Sequence, residues 1–185
     1  MKKNFCLLLI SLFSNYLIAQ DSLGFRNNIH LGIGFPHIFK NNVSNRDGKA
    51  SIPLLYAYNF KTSKLLALGV LFQNGNISTV DSLNKDGSKY GLDKQYFTVG
   101  FRPDYHFGKG KKFDPYIGIS ILYFGVVTKE RGNVPPNSNL KFDIREGVNF
   151  GGQLGFNYYF IPKIGAFAEV AYGLSYINTG LTFRF

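Results

Sequence analysis

The stretch Val148-Asn149-Phe150-Gly151-Gly152-Gln153-Leu154-Gly155-Phe156-Asn157-Tyr158-Tyr159-Phe160 repeats with a period of two. Val148, Phe150, Leu154, Phe156, Tyr158 and Phe160 share one phase. Asn149, Gly151, Gln153, Gly155, Asn157 and Tyr159 take the other. Successive side chains of a β-strand point to opposite faces, so this is a strand with one large apolar face and one small or amide-bearing face.

Working outward, seven more segments carry the same period, bounded by turn residues. Segment one, Ile29 to Phe39, sets Ile29, Leu31, Ile33 and Phe35 against His30, Gly32, Gly34 and Pro36. Segment two sets Ile52, Leu54, Tyr56, Tyr58 and Phe60 against Ser51, Pro53, Leu55, Ala57 and Asn59. Segment three alternates around Leu66–Gln73, segment four around Tyr96–Phe107 and segment five around Tyr116–Tyr123. The stretch quoted first is segment six. Segment seven runs Ala166–Gly173, and segment eight ends the chain with Leu181, Phe183 and Phe185 against Gly180, Thr182 and Arg184. Leu55, Leu71, Leu122 and Phe167 break the rule by standing in the small, polar phase.

A soluble β-sandwich also alternates, but its outer face is studded with Lys, Glu and Thr. Here the face opposite the large residues is mostly Gly, Ala, Ser and Asn. Such a face suits the interior of a small barrel, where eight strands leave just enough width for side chains to fill. Glycines such as Gly32, Gly69, Gly100, Gly118 and Gly155 make room there for inward Tyr96, Tyr116, Tyr159 and Arg102. The connections alternate too. Lys61–Lys64, Gly108–Lys112 and Ile161–Lys163 are short, while Lys40–Lys49, Asn74–Lys94 and Val126–Gly147 are long and polar; the last hairpin, at Leu174–Ser175, is tight. The expected fold is all-β, an eight-stranded antiparallel up-and-down transmembrane β-barrel.

The first residues read as an export signal. Lys2 and Lys3 precede an apolar stretch, Phe5 to Phe13, broken only by Ser11, and Ala19 offers a small residue at the cleavage point. The stretch is shorter than the roughly 20 residues a spanning helix needs. The expected organisation is therefore 1–19 signal peptide, 20–26 a short lead and 27–185 barrel. Losing 1–19 removes Cys6, the only cysteine, so disulfides and thiolate metal sites drop out of the mature chain. It leaves 19 basic against 11 acidic residues.

These features resemble the small outer-membrane β-barrel proteins of the OmpA/OmpX type, a porin-family architecture. The likeness covers about residues 27–185. Besides the export signal it rests on Asp114-Pro115-Tyr116-Ile117-Gly118, on Phe167-Ala168-Glu169-Val170-Ala171-Tyr172-Gly173 and on Leu181-Thr182-Phe183-Arg184-Phe185. It implies a bacterial outer-membrane protein, monomeric, with both chain ends in the periplasm. Its implied partners are outer-membrane lipids, lipopolysaccharide and the barrel-assembly machinery, which reads the closing Leu181, Phe183 and Phe185. No enzymatic role, cofactor, metal or nucleic acid is implied, and the role is a structural or surface-binding one through the outside loops.

Two alternatives stand beside it. A soluble periplasmic lipocalin-like barrel would want a large apolar lumen. A lipid-modifying outer-membrane enzyme would want a Ser–His–acid set near the rim, for which His37 and Ser44 are the nearest residues. Inward ionisable residues are the other candidates: His30, Lys61, Arg102, Asp104, His106, Glu169 and Arg184. They read either as a polar gate or as a structural network plugging the lumen. Buried charges must pair to offset desolvation, so Glu169 is expected to pair with Arg102 or Arg184. The core of that network is His30, Arg102, Asp104, Glu169 and Arg184. The three histidines share no metal-ligand spacing. Gly108-Lys109-Gly110-Lys111-Lys112 lacks the third glycine and the helix of a phosphate loop. With Lys61, Lys64 and Lys163 it reads as a lysine collar for lipid headgroups.

Overall fold

A strand buried on one side by lipid and on the other by its own lumen keeps its two-residue alternation throughout, and it must close on itself to leave no edge in the bilayer. The computed structural model describes residues 27–37, 49–78, 82–83, 89–107, 112–132 and 146–185. Their elements are β1 (Asn27–His37), β2 (Lys49–Ala50), β3 (Leu54–Lys61), β4 (Leu66–Ser78), β5 (Ser82–Leu83), β6 (Lys89–His106), β7 (Phe113–Arg131), β8 (Gly147–Ile161), β9 (Ile164–Ala171) and β10 (Ser175–Arg184). The barrel order is β4-β3-β1-β10-β9-β8-β7-β6, and β6 pairs back with β4 to close it. Every pairing is antiparallel. Eight of the described strands thus form a closed barrel, with β2 and β5 as two-residue additions to β4 and β6.

The seam between the first and last strands holds to its end. Asn27 and Phe185 exchange both backbone bonds, each at 3.0 Å. One end of the barrel carries short connections. In the β3–β4 turn the Ser63 hydroxyl accepts the amides of Leu65 and Leu66, at 3.2 and 2.9 Å, a local bond that serines favour in tight turns. The strands reach further toward the long-loop end than alternation indicates. Asn74–Ser78 and Lys89–Lys94, read above as connection, are paired strand, and so are Val126–Arg131. Segment one's last two residues and the export signal lie outside the described residues.

The exterior is apolar on every barrel strand. Leu31, Tyr56, Val70, Phe101, Ile121, Phe150, Val170 and Leu181 are all exposed, Phe150 to 76%. Contiguous apolar surface on that scale does not persist in water. Aromatic pairs mark both margins of the belt: Tyr105–Phe107, Phe113–Phe156 and Tyr158–Phe160 toward the short turns, Tyr56–Phe72 and Phe97–Tyr123 toward the long loops. The Phe97 ring fills the space over Gly125, where a Cβ would come within 2.2 Å of it. Such bands are the interfacial girdles of membrane barrels.

Candidate functional site

Glu169 stands on the inward phase of β9 and is buried. Both of its oxygens are doubly engaged. Oε2 accepts from Arg102 Nη2 at 2.9 Å and from the Tyr116 hydroxyl at 2.8 Å. Oε1 accepts from Arg102 Nη1 at 3.4 Å and from Asn178 Nδ2 at 3.2 Å. Arg102 comes from β6 across the lumen and turns its Nε to Asp104 Oδ2 at 3.0 Å. Asp104 Oδ1 in turn accepts from Gln153 Nε2 at 2.7 Å.

The chain of bonds continues on the other side of Glu169. Asn178 accepts from Gln73 Nε2 at 3.1 Å and from the Ser175 hydroxyl. Gln73 Oε1 accepts the backbone amide of Leu174 at 2.9 Å. Six of the eight barrel strands, β4, β6, β7, β8, β9 and β10, are thereby tied through the lumen. A buried charge is tolerated only when paired and fully hydrogen-bonded, and this geometry meets both conditions.

Glycines set the spacing. A Cβ at Gly155 would lie 2.7 Å from both the Tyr116 hydroxyl and the Glu169 Cβ. One at Gly69 would lie 3.0 Å from Arg102 Cγ. Gly32 and Gly100 leave space for Phe167 and Leu122, not for tyrosines.

A second layer is apolar. Leu55, Leu71, Leu122 and Phe167, which stood out of phase in the sequence, pack with Ala57, Ile77, Tyr96, Phe124 and Leu174 in one buried cluster. The residues that broke the alternation are the ones that fill the lumen beside the ion pair.

The expected network is brought together only in part. Arg102, Asp104 and Glu169 are in direct contact. His30 is buried but stacks on Phe167, centroids 4.5 Å apart and planes at 11°, so it contributes packing between the two layers. Arg184 is not a partner of Glu169. Glu169 pairs with Asn178 across β9–β10, and Arg184 lies six residues further along β10, roughly 20 Å away at strand rise. Its guanidinium covers the Tyr159 ring at 3.7 Å and donates to the Pro162 carbonyl.

At the short-turn end His106 Nδ1 meets both Asp114 oxygens at 3.0 Å, and Lys61 Nζ lies 3.5 Å from Asp114 Oδ2. Lys61 therefore turns to an inward carboxylate and leaves the collar, where Lys64, Lys112 and Lys163 remain exposed. Lys109 and Lys111 lie outside the described residues, as do Ser44 and the side chain of His37.

Tyr116, Gln153, Asn178 and Gln73 were not expected as network members. The inward phase of Tyr116, Gln153 and Gln73 was legible, that of Asn178 was not, and a neutral side chain gives no sign of which charge it meets. Among the described residues no group of three metal-ligating side chains occurs.

The sequence matches no protein-family model and no curated protein. Its structure is similar to the outer membrane protein OprG from Pseudomonas aeruginosa, at 14% identity and TM-score 0.51, covering 87% of this chain and 94% of that one. Neisserial surface protein A aligns over 88% of this chain and 97% of its own, at 13% identity and TM-score 0.46. The attachment invasion locus protein of Yersinia pestis, solved in complex with the heparin analogue sucrose octasulfate, aligns over 87% and 99%, at 11% identity and TM-score 0.45. The chain has the closed eight-stranded fold of bacterial outer-membrane β-barrels. The apolar exterior places it in lipid and excludes the soluble lipocalin-like alternative.

Proposed function

We propose that this chain is a non-enzymatic outer-membrane barrel with a plugged lumen, and that it works by surface binding at its long-loop end. The observation that carries the reading is an extension of the wall. The last β7–β8 pair is Phe124↔Gly147, whereas β6–β7 pairing continues to Gly91↔Arg131 and β4–β6 pairing to Ser78↔Asp93. Seven residues of β7 thus run on for about 20 Å of strand. Among the described residues their outer edge has no strand partner. Beyond Val127 the ribbon is largely polar, with Asp93 facing Lys129 and Lys94 facing Thr128. A sheet edge of this kind can receive an extended segment of another molecule through backbone bonds.

In this reading the short turns and both chain ends face the periplasm. Lys64, Lys112 and Lys163 meet anionic headgroups there, each contributing about 1 kcal/mol. Residues 1–19 direct export, and Leu181, Phe183 and Phe185 present the closing strand to the barrel-assembly machinery. Outer-membrane lipid and lipopolysaccharide surround a single barrel.

The test trims the ribbon by joining Phe124 to Gly147, which face each other across β7–β8, through an Asn-Gly turn that removes the β7 extension and its outer edge. Cells carrying the intact and trimmed barrels are compared for retention on beads coated with extracellular-matrix protein or with lipopolysaccharide. The trimmed barrel should still reach the outer membrane and lose about tenfold in retention. Equal retention, or none by the intact barrel on either coat, would leave a structural barrel without a binding role.

A further inference from the structure

Pro103 stands well inside β6, paired with Leu68 of β4 and flanked by β6–β7 pairs on the other side, where a proline removes a ladder donor. The phase of the β6–β7 ladder shows which bond is missing. Phe107 N donates to Pro115 O at 2.8 Å, and hydrogen-bonded pairs recur every second residue in an antiparallel ladder. Stepping back by four residues makes Pro103 and Ile119 such a pair. The flanking register, Phe101↔Ile121 and Asp104↔Gly118, agrees. The Ile119 carbonyl therefore faces a residue with no N–H, in a wall that lies in lipid, where every backbone group must find an internal partner.

The partner is a side chain. Gln153 Nε2, reaching from β8 across β7, donates to Ile119 O at 3.1 Å. The same nitrogen donates to Asp104 Oδ1 at 2.7 Å, so both hydrogens of the carboxamide are used. Gly118 leaves the passage open. A Cβ there would lie 2.5 Å from Gln153 Nε2, 2.2 Å from Asp104 Oδ1 and 2.5 Å from the Pro103 carbonyl. Asp104 is itself held by Arg102, and Arg102 by Glu169.

We infer that Gln153 is a latch: its carboxamide replaces the ladder bond that Pro103 removes, so the β6–β7 seam is held shut from inside the lumen by the Asp104–Arg102–Glu169 network. The wall at Pro103 and the charges in the lumen then form one conformational unit. Loosening the charges loosens this seam before any other part of the barrel wall.

Hydrogen exchange of the refolded barrel in micelles, read residue by residue, tests the inference. In Gln153→Met the amides of Phe101, Tyr105, Ile117 and Ile121 should exchange about five- to tenfold faster, the scale of one net hydrogen bond. The β9–β10 amides should stay unchanged. Adding Pro103→Ala restores an N–H to β6 and should return those four amides to within about twofold of wild type. If Gln153→Met fails to fold, the double variant should fold, because its ladder is complete. Glu169→Gln should quicken the same four amides. Unchanged exchange in Gln153→Met, or no rescue by Pro103→Ala, overturns the latch. Acceleration in Glu169→Gln confined to β9 and β10 overturns its coupling to the ion pair.

Discussion

At Glu169 four donors converge on two oxygens, two of them from a single guanidinium. Replacing the carboxylate by a carboxamide turns one acceptor into a donor that faces an Arg102 N–H and either Tyr116 or Asn178, and it leaves Asp104 as the only carboxylate partner of Arg102. Breaking one member of a buried pair costs about 3–5 kcal/mol. Glu169→Gln should therefore lower the urea midpoint of the refolded barrel by about 2 M, at a slope of roughly 1–3 kcal/mol per molar. Arg184→Gln is the matched control. Its guanidinium sits over Tyr159 at a half-exposed position, and a contact of that kind contributes about 0.5–1 kcal/mol. Equal shifts in the two variants would remove Glu169 from its central place. The choice between Arg102 and Arg184 was not legible in the sequence. Period-two phase tells which side chains enter the lumen; strand register and tilt decide their depth, and Arg184 enters at the wrong depth.

The strands themselves were legible where lipid and lumen make opposite demands on alternate residues. All eight barrel strands were found on that basis, together with their inward and outward faces. Legibility failed where the demand stops. Beyond the belt the outward face turns polar: Asn74, Asn76 and Ser78 alternate with buried Gly75 and Ile77, so the large apolar outward phase is lost from the sequence although the strand still pairs, as does Lys89–Lys94. The start of β10 was missed for a related reason. Tyr176 and Ile177 are both exposed, which hides the inward phase of Ser175 and Asn178. The last element carries a prediction of its own. Phe185 exchanges two backbone bonds with Asn27, while its ring is about half exposed on the lipid side. Phe185→Ala keeps the backbone bonds and removes only the ring, so refolded stability should fall by less than about 2 kcal/mol. Outer-membrane levels in cells should fall several-fold, because the closing aromatic is what the assembly machinery is expected to read. A parallel fall in refolding yield and cellular level would make the ring a stability element and not a targeting one.

On the proposed plugged-lumen reading, the hydrogen-bonded charge layer and the apolar cluster packed beside it act as two barriers to ions. Eight strands give an interior that side chains can fill, and here polar and apolar side chains fill different parts of it. Ions crossing such a lumen must pass both, so opening one layer leaves the other in control. Glu169→Gln should lower stability and still hold steady conductance near that of the wild type, because Leu122 and Phe167 remain packed. Leu122→Ala with Phe167→Ala removes the apolar barrier but leaves the arginine and its two carboxylates spanning the lumen, and should likewise conduct little. Removing about 2–5 kcal/mol of packing for each large-to-small change makes this pair the more costly for folding, so refolding yield is measured first. Only the triple variant, with both layers opened, should show long-lived channels in planar bilayers. A large steady conductance in the wild type would refute the plugged lumen. Opening by Glu169→Gln alone would show that the charge layer is the sole barrier and that the apolar cluster serves packing only.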